Sequence, residues 1–536
     1  MNWPRAIFLV LESIWLFCAA ACAAAAVLAI VRKDSIVRFE AAFRSLDERP
    51  VARWAPAALL GLLPAGFACL YKTAEHATYL LGADSAGVTN VVWNFIHGYG
   101  WTSSILTERS YFAIHFAVTT AFLAPLLLVW PSILALVLVQ AALIGSTIWG
   151  VYRLSILHCR MHWAGWCAAL LAWSCFLFRE TMIADLNNTP LAFPAFIWAA
   201  YCWESRKPWP GAILALVYLT TREQAPFLFV GVGALLALTG RRGHQRLAGL
   251  GLSVLSVGVW LLEMRLIRHS QPAQADHAVN FWGYYAALGD SPLGLIKTAL
   301  LRPWLYVKAL VVPPSQLWTP ARAFVSLALL PLLSGVAIVP ALAVWLPQQL
   351  APGGSPFHAL EGHYAGLLIG PLIWSMVHGL RAFLEIAPVS WRRFVACGMM
   401  SVAAASFVLN SGFLPDPTTN EILEPWRADA PGALGQVPPG ASVWADDLLA
   451  QNLATRRFVK TMPFQDDVVF LDGLFVPDRV ILSRRWLALS SPGFKTRVLS
   501  CLKERRFAKI FQNDSFIVLA NPAPAPAARP EKITLK

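Results

Sequence analysis

Long apolar runs, interrupted by short clusters of arginine and lysine, are the feature that most constrains this chain. Hydrophobic residues make up 57% of its 536 residues and charged residues 14%, against roughly 25% charged in a soluble domain. A run of about 20 apolar residues can cross a bilayer as a helix. The sequence therefore predicts a mainly α, polytopic helical membrane protein with about a dozen spans and one small soluble domain.

The basic residues indicate topology and not nucleic-acid binding. The formal net charge is +13, but lysines and arginines fall in short clusters between apolar runs, where they act as inside-loop signals. The nine cysteines lie mainly in apolar segments, with no CxxC pair and no metal-ligand spacing. The sequence thus predicts neither a disulfide framework nor a zinc site.

The first part of the topology follows from the clearest basic loop. Residues 5–31 are predicted to be a retained span, and the arginine-rich segment that ends at Arg53 is predicted to be cytoplasmic. The span 54–71 then places Asp84 outside. Residues 111–130 are predicted to dip into the membrane or lie along it, because a crossing there would put Arg153 outside.

The remaining crossings are predicted at 132–152, 162–178, 190–203, 209–220, 225–239, 247–267, 296–313, 321–345, 363–380 and 394–411. This topology gathers eight candidate site residues at one extracytoplasmic face. They are Asp84, Asp185, Arg222, Glu223, Tyr284, Tyr285, His363 and Tyr364.

The stretch from Gly82 to Gly98 is the proposed centre of that face. Charge at membrane depth is costly, so the Asp84 carboxyl indicates a site or a water-filled cavity. The residues that follow predict a short amphipathic helix in the membrane surface, with Val88 and Val92 on its apolar face. The alternative is that Asp84 caps a helix or is solvated in a loop.

The composition changes near residue 410 and predicts four parts. These are an extra N-terminal span and cytoplasmic loop (1–53), a transmembrane domain (54–412), an extracytoplasmic α/β domain (413–521) and a disordered Pro/Ala-rich tail (522–536). Strand-like runs occur at ASVWA, DVVFLDG, RVILS and the hairpin-like AKIFQNDSFIVLAN. The stretch WLALSSPGFKTRVLSCLKERRF has helical spacing.

Several motifs carry a resemblance to a known family. They are ADSAGVTNVVWNFIHGYGWTSSI, TREQAPFLFVGVGALLAL, GYYAALGDSP, WLPQQLAPGGSPFHALEGHYAGLLIGPLI and PPGASVWADDLLAQNLATRR. In order and spacing they resemble an uncharacterised family of prokaryotic predicted membrane proteins allied to the GT-C glycosyltransferases. The resemblance covers most of the chain from about residue 80 and implies a GT-C-type transmembrane domain.

The resemblance also implies a function. The implied protein is an integral glycosyltransferase of the cytoplasmic (inner) membrane. It would move a sugar from a polyprenyl-phosphate donor to a glycan, lipid or protein acceptor on the extracytoplasmic side. The role of catalytic base or acceptor-orienting carboxylate falls on Asp84 by position. The chain departs from the family pattern at Thr89 and Asn90, where relatives often have Asp and Gln, and at Leu186 and Asn187, where they often have Phe and His.

Sugar transfer from a lipid phosphate assigns roles to the other candidates. Arg222 and His363 are candidates for meeting the leaving phosphate, with Tyr364 as a hydrogen-bond donor. The lack of paired carboxylates around Asp84 disfavours a divalent metal without excluding it.

Each candidate role has a structural alternative. Arg222 and Glu223 would form a charged pair that solvates a loop, His363 and Tyr364 would belong to an interfacial belt, and Asp185 would cap the next helix.

Two other function classes stay open. A transporter or flippase for a lipid-linked glycan would show pseudo-symmetric halves and midplane charges, whereas the candidate charges here fall in loops at one face. A non-catalytic assembly protein is the second alternative, because Thr89 and Asn187 stand where relatives often carry other polar groups.

Overall fold

The computed structural model describes residues 3–32, 34–47, 54–270, 285, 287–289, 291–351, 355–411, 424–462 and 476–522. It is mainly α-helical, with a small sheet near the C-terminus, as the sequence predicts. The helices of the membrane part are α1 (Trp3–Val31), α2 (Ser35–Asp47), α3 (Ala55–Ala77), α4 (Ala83–Ile96), α5 (Ala124–Val129), α6 (Ile133–Cys159), α7 (His162–Ser174), α8 (Phe176–Ile183), α9 (Ala192–Glu204), α10 (Pro208–Leu219), α11 (Pro226–Thr239), α12 (Gly243–Ser270), α13 (Pro292–Leu301), α14 (Pro303–Val311), α15 (Trp318–Ser326), α16 (Val339–Gln349), α17 (Pro356–Ala359), α18 (Gly366–Ile386) and α19 (Arg392–Ser411).

Fewer helices than predicted are long enough to cross a membrane. Within the described residues, seven helices have the length and apolar character of a span, or eight if the bent pair α7 and α8 counts as one. Helices α9, α10 and α11, predicted as full crossings, have 13, 12 and 14 residues. At about 1.5 Å per residue, such helices are roughly 20 Å long, shorter than a bilayer core of about 30 Å.

The predicted crossing at 296–313 is wrong. That stretch lies in two short helices, α13 and α14, which meet at Arg302 in a non-helical conformation directly before Pro303. The residue before a proline is disfavoured in the helical region, so the apolar run breaks there. The predicted crossing at 321–345 is displaced to Leu330–Gln349.

Residues 111–130 do not form a spanning helix, in agreement with the sequence analysis. They consist of 3-10 turns at Tyr111–Ala113 and Val118–Leu123, followed by the six-residue helix α5. The bend between α7 and α8 is 54° and falls at Cys175. The side-chain amide of Asn410 on α19 donates to the Ser174 carbonyl at 2.7 Å, which provides a partner for backbone exposed by the break.

The N-terminal helix belongs to the central core of the membrane part. Trp15 of α1 is fully buried, and its ring lies 5.1 Å from that of Phe67, 6.3 Å from Trp173 and 5.0 Å from Phe407. These rings come from four helices that are far apart in sequence. Aromatic packing therefore joins α1 to α3, α7 and α19.

The C-terminal part is a small α/β unit. Its elements are β3 (Val443–Ala445), β4 (Val459–Thr461), β5 (Arg479–Ser483), β6 (Ala508–Gln512), β7 (Phe516–Ala520), α20 (Glu424–Leu434), α21 (Asp447–Leu453), α22 (Arg484–Leu489) and α23 (Pro492–Glu504). The five strands form one sheet in the order β4-β3-β5-β7-β6, in which β3 is parallel to β4 and β5, and β7 is antiparallel to β5 and β6. Two further strands, β1 (Thr102–Ser103) and β2 (Thr107–Ser110), pair in the loop after α4.

This unit matches most of the predicted strands. The runs ASVWA and RVILS and the predicted hairpin correspond to β3, β5, β6 and β7, and the stretch with helical spacing forms α22 and α23. Strand β4 was not predicted. The run DVVFLDG, the boundary at 412–413 and the tail after Pro522 lie outside the described residues.

Helix α4 forms where predicted, and its apolar face packs against protein. Val88 and Val92 pack in a core cluster that includes Leu136 of α6. Thr89 and Asn90, expected on another face, are also fully buried. The C-terminal unit covers that second face, because the Asn90 side chain donates hydrogen bonds to backbone carbonyls of that unit.

We predict that Trp15→Ala lowers the free energy of unfolding by about 3–5 kcal/mol, because it removes a fully enclosed indole from the core. Thermal unfolding of the detergent-purified protein measures the loss. Phe17→Ala on the same helix is the control, since the Phe17 side chain is 73% exposed on the protein surface. Equal effects of the two variants would contradict a core role for α1.

Candidate functional site

Asp84 lies in the first turn of α4, after Gly82 at the N-cap. Its Oδ2 atom is 3.8 Å from Nδ1 of His363, which begins the segment leading into α18. The Asp84 side chain is 43% exposed, yet nearby protein raises the pKa of its carboxyl group, first by burial and then by the charge of Asp185. Arg222 and His115 oppose that rise. The group is therefore a better proton acceptor than an ordinary aspartate.

Asp185 fixes the start of α4. Its Oδ1 atom accepts hydrogen bonds from the Gly82 amide at 2.9 Å and from the Ser85 hydroxyl at 3.1 Å. The Leu186 amide in turn donates to Ser85 Oγ at 2.7 Å. The structure therefore contradicts the alternative in which Asp185 only caps the next helix. Its carboxylate instead holds the helix that carries Asp84.

A side chain at position 82 would prevent this arrangement. A Cβ atom built on Gly82 would lie 2.2 Å from Asp185 Oδ2, well inside van der Waals contact. The close approach of the Gly82 backbone to the carboxylate is what requires glycine here.

Arg222 and Glu223 lie in the loop between α10 and α11 and are buried, with 4% and 1% exposure. The alternative that they solvate a loop is therefore wrong. The Arg222 guanidinium donates from Nη1 to Asn187 Oδ1 at 3.3 Å and to Thr189 Oγ1 at 3.4 Å, and its Nε lies 3.5 Å from Glu223 Oε1.

Glu223 also binds the segment that precedes α5. Its Oε1 atom lies 3.3 Å from His115 Nδ1, and its Oε2 atom accepts from the Phe116 amide at 3.3 Å. Burial alone would raise the pKa of Glu223, but His115 and Arg222 together lower it to about 2. Glu223 is thus an ionised carboxylate near neutral pH. His115 is a neighbour that the sequence analysis did not single out.

A largely apolar cavity of about 480 Å³ opens from this charged group. Arg222, Glu223 and His115 line its polar end. Most of its remaining wall is apolar or aromatic and includes Phe227, Trp260, Met264, Leu295 and Phe357. Its size lies in the range of about 300–1,000 Å³ that is typical of small-molecule sites.

His363 and Tyr364 connect Asp84 to the cavity. Tyr364 lines the cavity wall, and its ring centroid is 4.1 Å from that of His363. The His363 Nε2 atom is buried and has no hydrogen-bond partner among the described residues. Tyr285 also lines the cavity, and its hydroxyl donates to the Pro347 carbonyl at 3.0 Å. Tyr284 lies outside the described residues.

The fold thus brings Arg222, Glu223, Tyr285 and Tyr364 to one cavity, with His363 and Asp84 next to it. Asp185 holds the start of α4. Their roles toward a substrate stay predictions. Sequence reasoning missed His115, Ser85 and Gln140. Gln140 bonds to the Asp185 carbonyl and the Asn187 amide at 3.1 Å each. Ser85 stands beside Asp84 in a quoted motif, but no motif or spacing marks His115 or Gln140, since their partners are distant in sequence.

Asn90, one of the departures from the family pattern, joins α4 to the C-terminal unit. Its Nδ2 atom donates to the carbonyls of Ala454 and Arg456 at 3.0 and 2.6 Å, and its Oδ1 atom accepts from the Ser104 amide at 2.9 Å. This buried amide bridges three segments. Its role in this chain is therefore structural.

The apolar helices and the cavity define a polytopic membrane protein with a candidate small-molecule site. The chain belongs to a family described as DUF2079, predicted membrane protein, whose model matches residues 86–494. No curated protein sequence matches the chain.

Among the solved structures that match the chain is one that is similar over much of its length. The crystal structure of ArnT from Cupriavidus metallidurans bound to undecaprenyl phosphate has a TM-score of 0.43 and 11% sequence identity to this chain. The match covers 85% of this chain and 98% of that one.

We predict that Gly82→Ala displaces the start of α4 and lowers the thermal unfolding midpoint, because the new methyl group collides with Asp185. Gly66→Ala on α3 is the matched control, since a Cβ there meets no atom within 4 Å. That control should leave the midpoint unchanged or raise it slightly. A Gly82→Ala protein as stable as the control would contradict the close approach.

Proposed function

We propose that the protein is an integral-membrane glycosyltransferase that takes a sugar from a polyprenyl-phosphate donor. The observation that carries the proposal is the apolar cavity with a buried arginine at its polar end. A donor of this class has the same two parts, a long apolar tail and a charged phosphate. The family resemblance supports the same chemistry.

The cavity accounts for recognition of the donor. Aromatic and aliphatic side chains, among them Trp260 and Met264, favour an isoprenoid tail by excluding water from it. Arg222 presents a guanidinium group to the phosphate, and its planar fork of donors matches phosphate oxygens. Glu223 keeps the arginine in place through its own ion pair.

The transfer step needs a base and a stabilised leaving group. In the proposed reaction, an acceptor hydroxyl oxygen attacks the anomeric carbon while the bond from that carbon to the phosphate oxygen breaks. Asp84 takes the hydroxyl proton, and polyprenyl phosphate leaves with the bonding electrons, with its charge facing Arg222. His363, whose Nε2 atom has no partner in the part of the chain that the structure describes, is available to donate to the phosphate or the sugar.

The orientation of the chain completes the proposal. We place the face that holds Asp84 outside the cytoplasmic membrane, because the arginine-rich loops then lie inside. The C-terminal unit would lie on that outer side and cover α4. Its contact with α4 through Asn90 suits binding of a glycan, lipid or protein acceptor near this helix.

We predict that Asp84→Asn lowers transfer by about 10²- to 10⁴-fold, the usual contribution of a general base, and leaves donor binding intact. Purified protein in nanodiscs is assayed with a labelled polyprenyl-phosphate sugar for transfer. Binding of sugar-free polyprenyl phosphate is followed by quenching of tryptophan fluorescence. Glu361→Gln, which removes an exposed carboxylate one residue before Gly362, is the control.

Arg222→Gln separates recognition from chemistry in the same assays. It should weaken binding of polyprenyl phosphate, because the buried guanidinium is lost. Full transfer by Asp84→Asn would eliminate the base role. Movement of the labelled lipid across the bilayer without transfer would identify a flippase instead.

The pH dependence of transfer follows from the raised pKa of Asp84. A base must be ionised, so the rate should fall as the pH drops through a value above the ordinary 3.8 of an aspartate. Asp185→Asn removes a charge that raises this pKa but keeps an oxygen acceptor for Gly82 and Ser85. The acid limb of kcat/KM should then move to lower pH, and an unmoved limb would contradict the assignment.

A further inference from the structure

A second cluster of ionisable side chains lies at the other end of the membrane part. His158 is near the end of α6, Glu204 ends α9, and His378 lies past the middle of α18. Gln140, which contacts the candidate site, is 18 residues before His158 on α6, or about 27 Å along the helix axis. The cluster is therefore separate from the cavity and from Asp84.

The three side chains converge on the Glu204 carboxylate. His158 Nε2 contacts its Oε2 atom, and His378 Nε2 lies 3.5 Å from its Oε1 atom. The imidazole centroids are 4.4 Å apart. The candidate ligand atoms of the three residues all lie within 4.8 Å of one another.

We propose that this cluster binds one divalent transition-metal ion of the zinc class, with His158, His378 and Glu204 as ligands. Two imidazole nitrogens and one carboxylate oxygen are a ligand set that Zn²⁺ accepts, with water in a fourth position. The side chains are 10%, 22% and 20% exposed, so an ion can reach them.

The surroundings of the cluster support a metal over a simple ion pair. The Trp374 indole donates from Nε1 to Glu204 Oε1 at 2.7 Å and so orients the carboxylate, as outer-shell groups do around metal ligands. The His378 Nε2 atom is buried and makes no hydrogen bond within the described residues. Two neutral imidazoles that offer lone pairs to one ion would satisfy this arrangement.

A metal here would clamp three helices that also shape the candidate site. Helix α6 carries Gln140, α9 follows the loop that holds Asn187, and α18 follows His363. The ion is structural in this proposal and takes no part in sugar transfer. The inference therefore stands independently of the proposed function.

Metal content tests the proposal. The full-length protein, purified in detergent, is stripped with a chelator and dialysed against Zn²⁺ or Co²⁺. We expect one ion per chain by mass spectrometry and visible absorption bands from Co²⁺ bound by protein ligands. We also expect a higher thermal unfolding midpoint with Zn²⁺. His158→Ala and His378→Ala should lose the bands, whereas His244→Ala, at an exposed histidine, should keep them.

Two further variants keep the test decisive if an alanine variant fails to fold. Glu204→Gln retains the shape of the side chain and an acceptor for Trp374, and it should lose the Co²⁺ bands. Trp374→Phe should weaken Zn²⁺ binding by about 10- to 100-fold. The proposal would be overturned if Glu204→Gln retained the metal or showed Co²⁺ bands equal to those of wild type. It would also be overturned if wild type held no metal above one-tenth of an ion per chain.

Discussion

The ion pair between Arg222 and Glu223 is the interaction on which the candidate site depends. Both side chains are almost fully enclosed, and an enclosed charge is tolerated only when it is paired and hydrogen-bonded. Asn187, Thr189 and His115 provide those bonds. Meeting that requirement draws the loops before α5, before α9 and before α11 to one place, and the polar end of the cavity forms there.

Asp84 owes its position to a second set of contacts on either side of α4. Asp185 holds the first turn through Gly82 and Ser85, while Asn90 ties the middle of the helix to the C-terminal unit. A helix fixed at both points is a rigid support for a reacting group, and rigidity is what positions a base. The metal proposed at the far ends of α6, α9 and α18 would support the same scaffold.

Sequence patterns predicted the class of the fold more reliably than the number of crossings. Apolar content and basic loops indicated a polytopic helical protein, and strand-like runs located four of the five strands of the C-terminal sheet. The crossings at 190–203, 209–220, 225–239 and 296–313 failed as full spans. The first three runs form helices of only 12 to 14 residues, and Pro303 starts a new helix within the last run. Apolar composition predicts removal from water, into protein or lipid, and removal from water does not set the length of a helix.

The sequence by itself determined that the chain is a helical membrane protein, because hydrophobicity and charge clustering are local properties of the chain. It also marked Asp84, Arg222 and His363 as candidate site residues at one face. Only the tertiary structure decided that Arg222 is buried, that Asp185 holds α4 and that His158, Glu204 and His378 meet. Those outcomes depend on contacts between segments far apart in the chain, which no local pattern encodes.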